Sequence, residues 1–195
     1  DTLDLSVTDR DVDIRVYVPE GEGPYPTLLY FHGGGWVISN VELYDETCRR
    51  FSAGADCMVI SVDYGLAPEH SFPSPLKDCY AVAEWVFDNA LPMQVDTENV
   101  AIGGDSAGGN LAAAVTQMAR DFDGPTFDHQ LLVYPVTDHN FSTQSYEENG
   151  DGGLITEADM RWFWDHYLND DIEGQHPYAS PLKAQSLDGL PQQQS

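Results

Sequence analysis

Residues 100–110 read Val-Ala-Ile-Gly-Gly-Asp-Ser-Ala-Gly-Gly-Asn. The run Val100–Gly103 is typical of a short buried strand, and a helical pattern extends over Ala107–Arg120. Between them, residues 104–108 match Gly-x-Ser-x-Gly, a sharp strand-to-helix turn that presents a serine nucleophile. The N-terminus of such a helix directs unpaired N–H groups at the serine. Because the chain contains 17 glycines, an ordinary Gly-rich turn is the alternative for this segment taken alone.

A second Gly-rich segment follows another buried strand. Residues 27–31, Thr-Leu-Leu-Tyr-Phe, are predicted to form a buried strand, and His32-Gly33-Gly34-Gly35-Trp36 comes directly after it. Glycines let backbone N–H groups face a ligand without obstruction by side chains. Together with the N–H of Ala107, these groups would form an oxyanion hole with three donors. A phosphate-binding loop does not fit, because no lysine is near and neither GxGxxG nor GxxxxGK[ST] is present. A plain turn is the remaining alternative.

Strand and helix patterns alternate along the rest of the chain. Two extended stretches, Leu3–Val7 and Val12–Val18, open it as a hairpin-like unit. Short apolar strands separated by helices predict an α/β fold, a three-layer sandwich with a mostly parallel central sheet covered on both faces. The polar tail Gly189–Ser195 is predicted to be without structure. Further strands are predicted at Cys57–Val62 and Leu131–Tyr134, and helices at about Leu43–Phe51, at Lys77–Asn89 and after Thr156.

The charge of the chain is strongly negative. Its 195 residues include 33 Asp and Glu against 8 Lys and Arg, a formal net charge of −25. Such a surface repels phosphate backbones and anionic membranes, which excludes nucleic-acid binding by charge. The acids are scattered and lysine occurs only at Lys77 and Lys183, a composition that resembles proteins of salt-loving organisms. Molar salt shortens the Debye length to about 3 Å and screens the self-repulsion. An acidic mesophilic protein is the alternative.

The cysteines and the hydropathy exclude other classes. Cys48, Cys57 and Cys79 are odd in number and lack CxxC spacing, which argues against a disulfide framework and a structural zinc site. No apolar run approaches the roughly 18 residues of a membrane-spanning helix. No signal-peptide pattern precedes the first strand. We predict a cytoplasmic protein with no metal, no cofactor and no membrane span, and the oligomeric state is left open.

Three motifs together resemble one known family. Residues 32–36 (HGGGW), 63–70 (DYGLAPEH) and 104–110 (GDSAGGN) are similar in order and spacing to the hormone-sensitive-lipase-like carboxylesterases of the α/β-hydrolase fold. Tyr134-Pro135 and Ser180-Pro181-Leu182 resemble later landmarks of that family. The resemblance covers nearly the whole chain. It implies the α/β-hydrolase fold and an esterase-type serine hydrolase.

The resemblance also implies roles for single residues. Ser106 would be the nucleophile that takes the acyl group. The N–H groups of Gly33, Gly34 and Ala107 would form the oxyanion hole. The histidine before the glycines would hold the loop through its ring and would not be the general base. The implied structural support of the site consists of His32, Gly35, Asp105 and Glu69.

The segment behind the glycine loop carries one departure from the family pattern. Gly65 stands where the family usually has Arg, which weakens the expected bracing of the loop. Asp105, the residue before the nucleophile, is interpreted as a local hydrogen-bonding residue. The residues implied to brace the loop are Asp63, Tyr64, Ala67, Pro68 and Glu69.

The triad of this family continues after the serine with an Asp and then a His. In this chain Gly189-Leu190-Pro191, which resembles the step into the seventh strand, is followed by only four residues, and no histidine lies beyond His176. We therefore expect a chain truncated at both ends, lacking the last strands, with the triad acid and base beyond Ser195 and an open edge at Leu131–Tyr134. Without a base, a serine hydroxyl is a poor nucleophile. The histidines present lie in structural motifs or polar segments: His32, His70, His129, His139, His166 and His176.

The chain divides into three predicted segments. These are an α/β-hydrolase core at 1–138, a cap-like insertion at 139–178 and a truncated return to the core at 179–195. The cap-like insertion contains a helix with one apolar face, which would cover an acyl pocket or, alternatively, pack into the core. That face is formed by Met160, Phe163, Trp164 and Tyr167.

The leading functional prediction is a serine hydrolase that cleaves carboxylic esters of small to medium acyl chains through an acyl-enzyme on Ser106. The alternative from another class is a catalytically impaired binding protein of the same fold, because the triad Asp and His are missing. A peptidase or amidase on this fold is a third hypothesis. The expected partner is a small-molecule ester.

Overall fold

A seven-stranded β-sheet forms the centre of the molecule. The computed structural model describes residues 2–194, and for residues 193 and 194 the backbone alone. Residues 1 and 195, the outer ends of the predicted segments, lie outside the described part. The strands are β1 (Thr2–Leu5), β2 (Val12–Tyr17), β3 (Tyr25–Phe31), β4 (Met58–Asp63), β5 (Val95–Asp105), β6 (His129–Val133) and β7 (Gln192–Gln194).

The strand order is β1-β2-β4-β3-β5-β6-β7. The β1–β2 and β2–β4 pairs are antiparallel, and the β3–β4, β3–β5, β5–β6 and β6–β7 pairs are parallel. The opening hairpin and the mostly parallel sheet are confirmed. The helices of the described residues are α1 (Asp45–Ala55), α2 (Ser74–Asp88), α3 (Ala90–Met93), α4 (Ala107–Asp121), α5 (Gln144–Asn149) and α6 (Glu157–Tyr167).

The alternation of side chains along β3 shows how both faces of the sheet are covered. Leu29 and Phe31 belong to the larger apolar cluster, which also contains buried residues of α2 and α4. Leu28 and Tyr30 point to the opposite face and join a smaller cluster with Cys48 of α1. The three-layer arrangement predicted from the sequence is therefore confirmed.

The end of the chain differs from our prediction. The tail expected to be without structure contains β7, whose Gln192 pairs with His129 of β6 in parallel register. A parallel ladder is made by backbone groups, so three glutamines can form it without any apolar pattern. The edge of β6 that we expected to be open is paired with β7 from His129 to Leu131.

The segment between β6 and β7 has no strand among its described residues and carries α5 and α6. The predicted cap of α6 is confirmed: Thr156 Oγ1 accepts from the Asp159 N–H (3.2 Å), and Asp159 Oδ2 accepts from the Thr156 N–H (2.9 Å). This reciprocal pair satisfies two donors that the first turn leaves free. None of the described helices combines the length and apolar character needed to cross a bilayer.

Candidate active site

Ser106 occupies the sharp turn between β5 and α4. Its backbone lies at φ 52° and ψ −117°, a region that residues with a side chain rarely adopt. The turn is fixed on both sides: the Ser106 N–H donates to Val133 O (2.9 Å), and Ser106 O accepts from the N–H groups of Asn110 (3.0 Å) and Val136 (3.2 Å). The predicted strand, turn and helix are all present, so the strain at this serine is maintained by its surroundings.

The glycines on either side of the serine are required by the close approach of α4 to β3. A Cβ atom at Gly104 or at Gly108 would overlap the carbonyl oxygen of Phe31. That oxygen belongs to backbone in the middle of the sheet and cannot move aside. The Gly-x-Ser-x-Gly pattern thus has a steric cause at both of its ends.

The N–H of Gly33 is already used within the protein. It donates to Asp105 Oδ1 (3.1 Å) and to the hydroxyl oxygen of Tyr44 (3.1 Å). A substrate oxygen would have to displace both partners. In this structure the Gly33 N–H anchors the loop, and its predicted role as an oxyanion-hole donor stays a prediction that would require these bonds to be exchanged.

The N–H groups of Gly34 and Gly35 are free among the described residues, and their direction is fixed from the opposite side of each peptide. His32 Nδ1 lies 2.8 Å from Gly33 O, and Gly34 O accepts from the N–H groups of Val37 (3.1 Å) and Ile38 (3.0 Å). In a trans peptide the C=O and the following N–H point in opposite directions. Fixing the two carbonyls therefore fixes the two free N–H groups.

Gly35 is the residue that sequence reasoning placed only in support. Its backbone at φ +59° is in the left-handed region, and a Cβ there would overlap the Phe163 ring. Gly34 has φ +123°, and a Cβ would overlap Ile38 O. Both conditions select glycine, and the run of three glycines was the available signal for a donor at Gly35. The Ala107 N–H is the first of α4, and it has no acceptor among the described residues.

His32 is fully buried under the glycine loop and stacks on Tyr64 with ring centroids 4.3 Å apart. Because Gly33 O can only accept, His32 Nδ1 is assigned as the protonated nitrogen. Burial lowers the pKa of the imidazole. A neutral ring held in this way fits the structural role that the resemblance implied.

Asp105 does not bond locally. Its carboxylate accepts from the hydroxyl groups of Tyr30 (2.8 Å) and Tyr44 (2.7 Å) and from the Gly33 N–H, all on other segments of the chain. The side chain is buried. The interpretation of Asp105 as a local hydrogen-bonding residue is therefore wrong.

Three of the five residues predicted to brace the loop bond to it or to the stretch that follows it. One of them, Asp63, accepts through Oδ1 from the Val41 N–H (3.3 Å). The Tyr64 hydroxyl donates to His32 O (2.7 Å), and the Ala67 N–H donates to Trp36 O (2.8 Å). Glu69 is exposed, and its side chain has no hydrogen bond or ion pair within residues 2–194, so its supporting role stays a prediction. Tyr64 and Ala67 thus bond to the two ends of the glycine loop, His32 and Trp36.

Gly65, which was expected to weaken the bracing of the loop, is held by the side chain of Asp78, and Asp78 is in turn bonded to Arg10. The Gly65 N–H donates to Asp78 Oδ2 (2.9 Å), and Asp78 is almost completely buried. Arg10, from the turn between β1 and β2, donates to the same oxygen through Nη2 (2.6 Å) and Nε (3.0 Å). The Thr8 hydroxyl donates to Asp78 Oδ1 (3.2 Å). Sequence reasoning missed Arg10, since the contact joins distant parts of the chain.

A cavity of about 640 Å³ opens at the serine. Its floor contains Ser106 and the two glycines with free N–H groups, and its opposite wall is apolar and comes from α6 and the residues before it. Of the apolar face of α6, Met160 and Phe163 line the cavity, whereas Trp164 and Tyr167 are buried against Trp36. The lining residues are Gly34, Gly35, Ile38, Ser106, Val136, Leu154, Ile155, Asp159, Met160, Trp162 and Phe163.

The described part of the chain places no histidine beside Ser106. The Ser106 hydroxyl has no hydrogen-bond partner among residues 2–194, and the cavity lining includes no histidine. His166 Nδ1 instead lies 2.8 Å from Trp162 O, and His176 packs against Phe72 and Tyr178. These residues have neighbours of their own and are not positioned as a base for the serine.

Comparisons with known proteins agree with this geometry. A family model described as alpha/beta hydrolase fold matches residues 28–193. The carboxylic ester hydrolase LipN of Mycobacterium tuberculosis is 42% identical, with 97% of this chain and 53% of that protein covered. An ester hydrolase from the metagenome of Lake Arreo, solved with a derivative of bipyridine phosphonate, is 40% identical with a TM-score of 0.94. A hyperthermophilic esterase of the archaeon Pyrobaculum calidifontis is 38% identical with a TM-score of 0.95.

The two solved structures are matched over 99% of this chain and 62% of their own. The chain thus spans between about half and two thirds of the length of these relatives. The residues matched by the family model, 28–193, include the serine turn and the glycine loop. The chain belongs to the α/β-hydrolase family that includes these ester hydrolases.

Proposed function

We propose that this protein hydrolyses carboxylic esters of small to medium acyl chains through an acyl-enzyme on Ser106. One observation carries the proposal: the strained serine lines the same cavity as the free N–H groups of Gly34 and Gly35. The relatives named as esterases and ester hydrolases support it. A binding protein would have no need of a strained serine beside three unpaired donors, so this alternative is not favoured.

The chemistry follows from the arrangement. Ser106 Oγ forms a bond to the ester carbonyl carbon while its proton passes to a base, and the negative charge collects on the former carbonyl oxygen. The N–H groups of Gly34, Gly35 and Ala107 stabilise that oxyanion without reorganising, because their peptides are already fixed. The bond to the alcohol oxygen then breaks, the alcohol leaves with a proton, and water hydrolyses the acyl-enzyme to the free acid.

The base of this reaction is not among the described neighbours of Ser106. A serine hydroxyl needs one to react at neutral pH. In serine hydrolases that lose the triad, the oxyanion hole and substrate binding still leave a rate on the order of 10³ above the uncatalysed reaction. The proposal for the whole protein therefore includes a base, and the test below examines Ser106 itself.

The acyl group is proposed to lie against the α6 side of the cavity, with residues 139–178 acting as the cap. Met160 and Phe163 face the serine from this side, and Leu154 and Ile155 continue the same wall. The walls are largely apolar, and Asp159, the acidic residue of the lining, has its carboxylate bonded to Thr156. An uncharged acyl chain fits these surroundings, since it needs no polar partner.

A fluorophosphonate probe followed by intact mass and peptide mapping tests the proposal. We expect one probe per folded molecule of the whole protein, attached at Ser106, and no attachment in Ser106→Ala. Ser71→Ala is the matched control, because Ser71 is outside the cavity and bonds Asn169 (2.8 Å); it should label like the unchanged protein. A folded protein that remains unlabelled at Ser106, or that is labelled equally in Ser106→Ala, would contradict the proposal.

A further inference from the structure

Asp105 joins the two halves of the site. It ends β5 directly before Ser106, and its buried carboxylate reaches the first glycine of the loop after β3. The contact with Gly33 is 3.1 Å from nitrogen to Oδ1. Tyr44 bonds to both residues: its hydroxyl oxygen accepts from the Gly33 N–H (3.1 Å), and its hydroxyl group donates to Asp105 Oδ2 (2.7 Å).

The four donors around Asp105 match the capacity of an ionised carboxylate. Oδ1 accepts from the Tyr30 hydroxyl (2.8 Å) and the Gly33 N–H, and Oδ2 accepts from the hydroxyl groups of Tyr44 and Tyr134 (3.4 Å). A carboxylate is an acceptor only, with about four lone-pair sites. Burial, together with the nearby Asp105 charge, raises the pKa of Tyr30 and of Tyr44, so both phenols remain protonated donors.

The position of Gly33 in the chain gives these bonds a consequence for the oxyanion hole. Gly33 directly precedes Gly34 and Gly35, whose N–H groups are free. The third donor, the N–H of Ala107, follows Ser106 on the other segment. A rigid link between Gly33 and Asp105 therefore sets the distance between the loop donors and the donor at the serine turn.

We propose that Asp105 is a positioning residue for catalysis, which aligns the Gly34 and Gly35 donors with Ser106 and Ala107 through its bond to the Gly33 N–H. This inference rests on the proposed ester hydrolysis at Ser106. Asp105 does not touch the substrate. It acts on the transition state by keeping the loop donors and the Ala107 donor directed at the same oxyanion. A displacement of these donors by a few tenths of an ångström would weaken each hydrogen bond to the oxyanion.

Two substitutions at Asp105 separate the acceptor from the charge. In Asp105→Ala the loop loses its anchor, and we expect kcat to fall about 100-fold while KM changes less than threefold, since an oxyanion donor acts in the transition state. In Asp105→Asn the amide oxygen can still accept from the Gly33 N–H and the Tyr30 hydroxyl. We expect this variant to recover kcat to within about tenfold of the unchanged protein.

Two tyrosine variants give a matched comparison on the same carboxylate oxygen. Tyr44→Phe removes the donor at 2.7 Å together with the second acceptor of the Gly33 N–H, and kcat should fall about tenfold. Tyr134→Phe removes the contact at 3.4 Å from a side chain that is 72% exposed, and kcat should stay within twofold. Equal effects of the two variants would contradict the proposal.

A measurement that does not depend on activity uses the amide signals of the loop by NMR. We expect faster hydrogen exchange of the Gly33 amide in Asp105→Ala and in Tyr44→Phe than in the unchanged protein, and no change in Tyr134→Phe. Unchanged exchange in both former variants, or a kcat of Asp105→Ala within threefold of the unchanged protein, would overturn the proposal. If the unchanged protein hydrolyses no ester, the proposed function fails, whereas altered exchange would still place the loop under the control of Asp105.

Discussion

The two walls of the cavity are built in different ways. On one wall, formed by the serine turn and the glycine loop, the proposed chemistry uses backbone groups, and buried partners such as Asp105 and His32 fix them. The other wall consists of apolar side chains, several of which face solvent; Leu154 is 99% exposed and Trp162 47% exposed. The first wall tolerates almost no change, whereas the second can change its side chains without disturbing the donors. Under the proposed function, reaction type and substrate preference would reside on separate walls.

The largest effect is expected at Gly108, on the fixed wall. In Gly108→Ala the new Cβ overlaps the carbonyl oxygen of Phe31, so either α4 or β3 must shift. We expect the free energy of unfolding to fall by more than about 3 kcal/mol, as for severe steric strain in a core. Gly54→Ala is the control, because Gly54 lies within α1 with no atom within 4 Å of a new Cβ; it should stabilise by about 0.5–1 kcal/mol. Urea denaturation measures both, and equal effects would contradict the steric account.

Arg10 tests whether the fixed wall depends on its distant brace. Arg10→Ala leaves the buried Asp78 carboxylate without its countercharge, and we expect a loss of about 3 kcal/mol in unfolding free energy. Arg50→Ala breaks an ion pair with Glu46 in which both side chains are exposed, and should cost less than about 0.5 kcal/mol. If the two variants unfold at the same denaturant concentration, Arg10 is not the brace.

Phe163 tests the other wall. Phe163→Ala removes a ring that lies directly against Gly35 and enlarges the cavity without touching a backbone donor. We expect the ratio of kcat/KM for hexanoate over acetate esters to rise about tenfold, equivalent to roughly 1.4 kcal/mol. Phe122→Ala, at an exposed site away from the cavity, should leave the ratio unchanged. A lower kcat for every ester with a constant ratio would mean that this wall is part of the chemistry.

The smallest effect is the pH dependence contributed by His32. Its pKa in the folded protein lies below the ordinary value of 6.5, so the unfolded chain binds the proton more readily. The stabilisation is complete above pH 6.5 and decreases as the pH falls towards the folded pKa, by at most about 1.4 kcal/mol at pH 5.5. His32→Gln cannot take up this proton, and its unfolding free energy should fall less steeply between pH 6.5 and 5.5. Equal slopes would show that His32 does not titrate in this way.

The elements of the fixed wall could be predicted because steric rules act locally. The turn at Ser106 and the loop after Phe31 require glycines at set positions, and these are visible in the sequence. The bond of the Gly33 N–H could not be predicted, because its partner, Asp105, becomes a neighbour only when β3 and β5 pair side by side. The contact of Arg10 with Asp78 was missed because these two residues are also far apart in the sequence.

The strand order and β7 were beyond the reach of the sequence pattern. Apolar periodicity indicates which residues are buried and not which strands are neighbours, so the placement of β3 between β4 and β5 had to come from the structure. β7 consists of Gln192–Gln194 and joins the sheet by backbone pairing alone, which leaves no apolar signal. Glu69 was assigned from a motif, and a motif does not tell which of its side chains turn outward.

The most direct test of the central claim is a crystal structure of the protein with a phosphonate bound covalently to Ser106. We predict that the phosphoryl oxygen lies about 2.7–3.1 Å from the backbone nitrogens of Gly34, Gly35 and Ala107, with the Gly33 N–H still on Asp105. A phosphoryl oxygen that points to solvent, or that takes the Gly33 N–H away from Asp105, would contradict the account.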